Sequence, residues 1–373
     1  MIFLHKLNKV DRVTLLIVAC LLAIGTVAIY GATHGTKLDG LHISNLIWIG
    51  AFSVLMLFVA LFDYRLLLGR ISYLLYAFGV GLLVLVQFRG EDANGAVRWL
   101  SIGSFQIQPS EMAKLFTVLL VAHLLQRRAG ERLRLIQDVL PILIVFAVPM
   151  LFVVKQPDLG TALVFVGILI GMLWIGNIRA IYMMLCLGAV TLAVVAVIYL
   201  FYENLDLLSK FVKPHQLSRI ETFLDPTSDP DKAWHVKNAM SAIGVGGFSG
   251  DGDGFYSRQG YIPYAYSDSI YVVIGEFYGF LGSAVLLVLY FLLVYRMVMI
   301  AVENQGAIGG SFLVVGVISM FVFQVFVNIG MHIGLLPLTG ISLPFISYGG
   351  SSLLTNMIAI GLVLSVKIHQ DEY

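Results

Sequence analysis

The chain has 373 residues, 59% of them hydrophobic and only 12% charged, with a formal net charge of +1. A soluble domain carries about twice that charged fraction, so an ordinary cytosolic globule is excluded. The balanced charge also offers no basic field for nucleic acid.

Apolar runs of the length a bilayer requires, about 20 residues each, recur from end to end. Ten spans are predicted, at 13–32, 43–62, 71–88, 110–126, 138–154, 160–176, 180–201, 269–295, 309–332 and 351–368. The first run is long for a signal-peptide core, and no A-x-A cleavage pattern follows it, so it reads as a retained span. Cys20 and Cys186 both lie inside apolar runs, which gives neither a disulfide framework nor a metal-ligand spacing. Lys6, Lys9, Arg12, Arg65, Arg70, Arg127, Arg128, Arg132, Arg134, Arg179, Arg296 and Lys367 fall on the termini and the even-to-odd loops. The short opposite loops hold only Lys37, Arg89, Arg98 and Lys155. Positive residues stay inside, so both termini are expected in the cytoplasm and the polar segment 202–268 outside. The expected architecture is a single all-α polytopic membrane domain over 1–373. It has ten transmembrane helices and a large extracellular loop between the seventh and eighth. The cytoplasmic loops leave no room for a nucleotide-binding unit, and no GxxxxGK[ST] occurs.

Four polar clusters fall on the outer face. In the first, Trp99 suits either an interfacial anchor or a substrate wall, and the neighbouring Arg98 can bind a phosphate bidentately. Glu111 and Lys114, at i and i+3, share a helix face within an apolar run. They read equally as a structural ion pair or as substrate contacts, with Lys114 a cation for a pyrophosphate leaving group. In the second cluster, Asp158 follows Pro157 and reads first as a helix cap.

The third cluster is the 202–268 segment. It holds Arg219, Phe223-Leu224-Asp225-Pro226, Trp234-His235 and the glycine run 242–247. Glycines let a backbone approach a ligand or present amides to an anion, and they also serve ordinary turns. Asp251 and Asp253 lack the ordered spacing and terminal Glu of a calcium loop, so no metal site is assigned. Asp268 closes the segment, as a cap or as a reactive carboxylate. Glu276 lies about 12 Å further along a helix axis, too far for a close carboxylate pair. The fourth cluster, 336–352, is too broken by Pro and Gly to face lipid. It reads as a packed or re-entrant loop lining an outer cavity, with Ser347 and Tyr348 as candidate contacts.

Taken together, ANGAVRWLSIG…QPSEMAK (93–114), QPDLGTAL (156–163), RIETFLDP (219–226), AIGVGG (242–247), SDSIYVVIGE (267–276) and NIGMHIGLLPLTGISLPFISYGGSS (328–352) resemble the SEDS family. That family covers shape, elongation, division and sporulation proteins such as RodA and FtsW, and QPDLGTAL and SSLLTNM lie closer to RodA. The resemblance implies ten transmembrane helices and a peptidoglycan glycosyltransferase that polymerises lipid II at the outer face of the bacterial cytoplasmic membrane. It implies a class B penicillin-binding protein, a transpeptidase, as partner. The family's essential aspartate carries over to Asp268, its outer-loop Trp to Trp99 and its Glu/Lys pair to Glu111 and Lys114. The substrate-side candidates are Arg98, Trp99, Glu111, Lys114, Asp158, Arg219, Glu276, Ser347 and Tyr348. Asp268 is expected to act as general base. Metal coordination is its rival role, which leaves a divalent cation as the one cofactor in question. Segment 238–266 departs most from the family: Asn238-Ala239-Met240, Asp251, Tyr264 and Tyr266-Ser267 stand where other residues are usual. Two other functions fit the same polar clusters, a lipid II flippase and a non-catalytic scaffold that activates a partner synthase.

Overall fold

The computed structural model describes residues 6, 9–93, 96–103, 105–128, 130–212, 214–225, 230–304 and 308–370. Asn94, Gly95 and Pro226 of the motifs above lie outside them. In hydrocarbon every backbone N–H needs a partner within its own segment, so the apolar runs become helices. In chain order these are α1 Arg12–Thr33, α2 Leu41–Leu61, α3 Arg70–Arg89, α4 Pro109–Gln126, α5 Leu140–Lys155, α6 Leu159–Ile175 and α7 Ala180–Glu203. After them come α8 Leu205–Phe211, α9 Pro214–Leu224, α10 Pro230–Val245, α11 Ile270–Glu303, α12 Ile308–His332 and α13 Gly350–Ile368.

Ten of these coincide with the ten predicted spans. Eight are long and apolar enough to cross a membrane, α5 together with the π turn Leu135–Val139 before it. Of the other two, α6 is apolar but only 17 residues long, and α4 carries Glu111, Lys114 and His123. One element departs from the all-α expectation. An antiparallel meander, β1 Glu91–Ala93, β2 Ala96–Ile102 and β3 Phe105–Ile107, joins α3 to α4.

Helices α12 and α13 form the centre, with 67% and 78% of their apolar windows buried. Around α12 pack α4, α6 and α11, while α13 lies along α2. Close approach depends on small residues: a Cβ on Gly316 would collide with Val118 of α4. At the other extreme α7 buries none of its window, as expected of a helix solvated by lipid.

The 202–268 segment is mostly helical, and its glycines serve packing rather than a ligand. Helix α11 breaks at Gly279 (φ 59°, ψ −151°), a conformation L side chains avoid. At the break the amides of Phe280 and Leu281 donate to Gly247 O (2.9 Å) and Phe248 O (3.1 Å). Asp251 N donates to Glu276 O at 2.9 Å. A Cβ on Gly246 would overlap Gly275 O, and one on Gly279 would sit 2.5 Å from Gly250 N. Two glycine-rich backbones thus dock directly, which fixes the segment's C-terminal half on α11.

Glu276 completes this joint, which corrects its reading as a substrate contact. It is fully buried and accepts from Tyr256 N (2.6 Å), Ser257 N (3.0 Å) and Ser257 Oγ. A carboxylate capping the one-turn helix Phe255–Arg258 has no face left for a ligand. Removing it strands buried donors at about 1–3 kcal/mol each. Glu276→Ala should therefore lower the melting temperature in detergent by several degrees, whereas an unchanged melt would show that the cap is dispensable.

Candidate functional site

A cavity of about 1510 Å³ opens at one end of the bundle. Ligand pockets commonly occupy about 300–1,000 Å³, so this one exceeds an ordinary small-molecule site. The N-terminal ends of α4, α6, α11 and α13 meet there, with the C-terminal end of α12 and the 333–349 loop. Helix N-termini present unpaired amides and a positive dipole end, which favours anions.

Asp268 stands on the cavity wall just before α11. Its carbonyl accepts from Asn328 Nδ2 (2.8 Å) and His332 Nε2 (3.0 Å). The carboxylate is treated differently: Oδ1 is shielded from water and has no hydrogen-bond partner among the described residues. Across from it lies Gly340, where a Cβ would come 3.3 Å from Oδ2. Burial pushes the Asp268 carboxyl up to about 6, against its local backbone amides and the Arg219 charge, which pull it down. A carboxylate of that affinity can take a proton at neutral pH.

The Arg219 guanidinium faces this carboxylate, and Arg98 lies close to Arg219. Arg219, on α9, donates to Leu338 O at 2.9 Å. Burial and the like charge of Arg98 hold it below the ordinary arginine range, while Asp158 and Asp268 oppose that shift. Arg98 donates to Gln156 O (3.0 Å) and Pro157 O (2.5 Å) and so props the turn into α6. Two crowded cations at the convergence of several helix N-termini form a site that an anion would relieve.

The other sequence candidates divide. Trp99, Glu111 and Tyr348 line the cavity with Arg98, Arg219 and Asp268. Tyr348 packs edge-on against Tyr266 (centroids 6.0 Å apart), and its N–H donates to Tyr266 O at 3.0 Å. Burial, with Tyr264, Asp268 and Tyr348 close by, raises the Tyr266 phenol.

Three readings besides that of Glu276 are corrected. Lys114 is fully buried behind the wall and paired with Glu111 at 2.8 Å, so it offers no cation to the cavity. Asp158 is the cap of α6, accepting from Thr161 N (3.0 Å) and from Gln108 Nε2 (3.2 Å). Ser347 Oγ accepts from Leu343 N at 2.7 Å and shapes the 333–349 loop from inside. Asn328 and His332, which hold the Asp268 carbonyl, are not among the sequence candidates. Their signal was two polar residues at i and i+4 in an otherwise apolar span.

Similarity to known proteins follows the same outline. The FtsW/RodA/SpoVE family model, described as a cell cycle protein, matches residues 11–372. A probable peptidoglycan glycosyltransferase FtsW from Trichlorobacter lovleyi is 33% identical over 372 residues, covering 97% of this chain and 94% of its own. Peptidoglycan glycosyltransferase RodA from Treponema pallidum is 30% identical over 434 residues, covering 98% and 99%. A chain solved in work on the coordination of polymerization and crosslinking by a peptidoglycan synthase complex superposes with a TM-score of 0.79. It is 29% identical, over 98% of this chain and 99% of that one. FtsW and RodA relatives therefore match at similar identity, which favours neither subgroup.

The raised Asp268 has a consequence for stability. The folded chain keeps this proton up to about pH 6, whereas the ordinary value is 3.8. Between those values the folded state binds more protons than the unfolded, so stability falls as pH rises through the window. Above it the ionised carboxylate costs about 1–3 kcal/mol. Asp268→Asn should therefore melt higher than wild type at pH 7.5, and the gap should narrow as pH falls below about 6 and close only towards 3.8. An Asn variant that melts lower at pH 7.5 would contradict the desolvated carboxylate.

Proposed function

This chain belongs to the FtsW/RodA/SpoVE family, and from that premise we propose that it is a peptidoglycan glycosyltransferase polymerising lipid II into glycan strands. The reaction takes place at the outer face of the bacterial cytoplasmic membrane, with ten spans and both termini in the cytoplasm. The observation that carries this reading is the shielded, unpaired Oδ1 of Asp268 close to Arg219, in a large cavity that Arg98 also lines.

Glycan polymerisation joins a sugar hydroxyl of one lipid II to the anomeric carbon of the growing chain. The C–O bond to undecaprenyl pyrophosphate breaks, and the hydroxyl proton must leave. Asp268 takes that proton as general base. Arg219 and Arg98, with the helix N-termini around them, stabilise the negative charge that builds on the departing pyrophosphate. Trp99, at the rim, and Tyr348 give the sugars and the carrier flat surfaces to lie against. A class B penicillin-binding protein is the natural partner, because a glycan strand must be cross-linked as it emerges. The similarity to a chain studied for coordinated polymerization and crosslinking supports this. The RodA-like motifs support a role in cell shape and elongation.

Among the described residues no three His, Cys, Asp or Glu side chains converge, so a divalent cation here would be held by the Asp268 carboxylate together with the substrate's own phosphate oxygens, where it would add positive charge beside the pyrophosphate. The steps above are written for the protein's own side chains.

The test is lipid II polymerisation by the purified protein with its partner, read as glycan strands. Asp268→Asn should lower kcat by about 10²–10⁴-fold, the usual contribution of a positioned base. For wild type, kcat/KM should fall as pH drops below about 6, where Asp268 protonates. The corresponding bend in kcat should lie higher, because an anion bound at Arg219 weakens the cation that lowers Asp268. A folded Asp268→Asn protein at wild-type rate would sink the base assignment. Wild-type protein that moved lipid II across sealed vesicles without polymerising it would point to transport instead.

A further inference from the structure

Asp268 occupies an unusual place in the chain. It follows the irregular stretch 259–267 and precedes α11, whose cap residue Ser269 makes no side-chain capping bond. The start of α11 therefore does not hold the Asp268 peptide through a cap. The Asp268 carbonyl is instead taken by two side chains of another helix. Asn328 Nδ2 donates to it at 2.8 Å and His332 Nε2 at 3.0 Å. The two donors sit at i and i+4 on α12, one above the other on the same face.

We propose that Asn328 and His332 form a two-donor clamp that positions Asp268 for proton abstraction, both acting as positioning residues. The proposal rests on the reading of Asp268 as the base. Peptide units are planar, so holding the carbonyl after Cα fixes how the Asp268 side chain leaves the backbone. Without the clamp that peptide can rotate, and the carboxylate swings with it.

Three observations make the clamp rigid. Both donors are buried, Asn328 at 0% and His332 at 1% exposure, on a helix packed from several sides. The Asn328 amide also donates to Ile341 O at 2.6 Å. One side chain therefore sets Asp268 against the 333–349 loop, whose Gly340 faces the carboxylate. The His332 tautomer is also determined. Its Nε2 meets a carbonyl oxygen, which only accepts, so Nε2 carries the hydrogen. Nδ1 is then the unprotonated nitrogen, shielded and without a partner among the described residues. The neutral ring adds no charge to the field at Asp268. That field comes from Arg219 on α9, with Tyr266 on the same segment and Tyr348 on the 333–349 loop nearby.

Apolar side chains would serve simple packing at both positions. Burying an amide and an imidazole near membrane depth costs free energy unless their hydrogen bonds return it, and the bonds found here converge on one carbonyl.

The experiment compares His332→Leu with His332→Gln in lipid II polymerisation, with melting curves confirming that each is folded. A glutamine amide nitrogen reaches about where Nε2 sits and keeps the donor, and leucine removes it. The Leu variant should lose about 10–100-fold in kcat, the scale of a small misplacement of a catalytic group, with KM within about twofold. Its acidic limb should also move below about pH 6 as the carboxylate turns toward water. The Gln variant should recover most of kcat with the limb in place. The clamp is overturned by a folded Leu variant with wild-type kcat and an unmoved limb. It is equally overturned by a loss expressed only in KM, or by Gln as impaired as Leu. Asp268→Asn, run alongside, separates the two ideas: if it keeps polymerising, the base reading falls. If it is inactive while His332→Leu is normal, only the clamp falls.

Discussion

A carboxylate removed from water without a donor for its oxygen raises the free energy of the fold. Such a group persists only where surrounding contacts hold it in place. Asp268 is this group, its Oδ1 shielded and unpaired, and much of the cavity end of the molecule can be understood as what keeps it there. Its carbonyl is held from α12, its carboxylate faces Gly340, and Arg219 supplies a nearby positive charge. Burial strengthens it as a base and the guanidinium moderates that. The outcome, about 6, leaves it ionised at neutral pH yet willing to accept a proton.

Holding a group this way needs two fixed bodies, and the fold supplies both. One is the heavily buried α12–α13 core, with glycine-mediated contact to α4. The other is the joint between segment 244–257 and the break at Gly279, closed by direct backbone contact and by the Glu276 carboxylate on the Tyr256–Ser257 turn. Asp268 lies in the chain between that turn and α11. Neither end of its peptide is free to drift, although the stretch itself is irregular.

The membrane architecture was legible in the sequence because length and apolarity decide it almost alone, and all ten predicted runs became helices. The meander at 91–107 was not legible, since three short strands carry little periodic signal. Individual polar residues were harder to read for a physical reason. Asp158, Glu276 and Asp268 are all carboxylates near helix starts, and the sequence shows what each is but not which donors reach it. Asp158 and Glu276 proved to be filled by donors from other parts of the chain, whereas Asp268 keeps one oxygen, Oδ1, without a partner among the described residues. Lys114 was misread because an i, i+3 spacing gives a shared face but not which way that face points. The glycine run 242–247 suggested an anion cradle, yet a close backbone contact asks for the same residue. Asn328 and His332 stood out only once their common target was visible.

Core and segment place different constraints on their residues. Angles at Asp268 are set from α12, whose residues are constrained by packing on several sides and cannot change size cheaply. The substrate-facing residues of 238–266 hang on the glycine joint and Glu276, which bear on backbone placement and not on side-chain identity. Tyr264 and Tyr266 give the cavity aromatic surface there, and Tyr266 does more, since its phenol lies close enough to Asp268 to be raised by it and its carbonyl accepts from Tyr348 N at 3.0 Å. The atypical segment therefore reaches the Asp268 carboxylate through Tyr266, while the Asp268 carbonyl is held from α12.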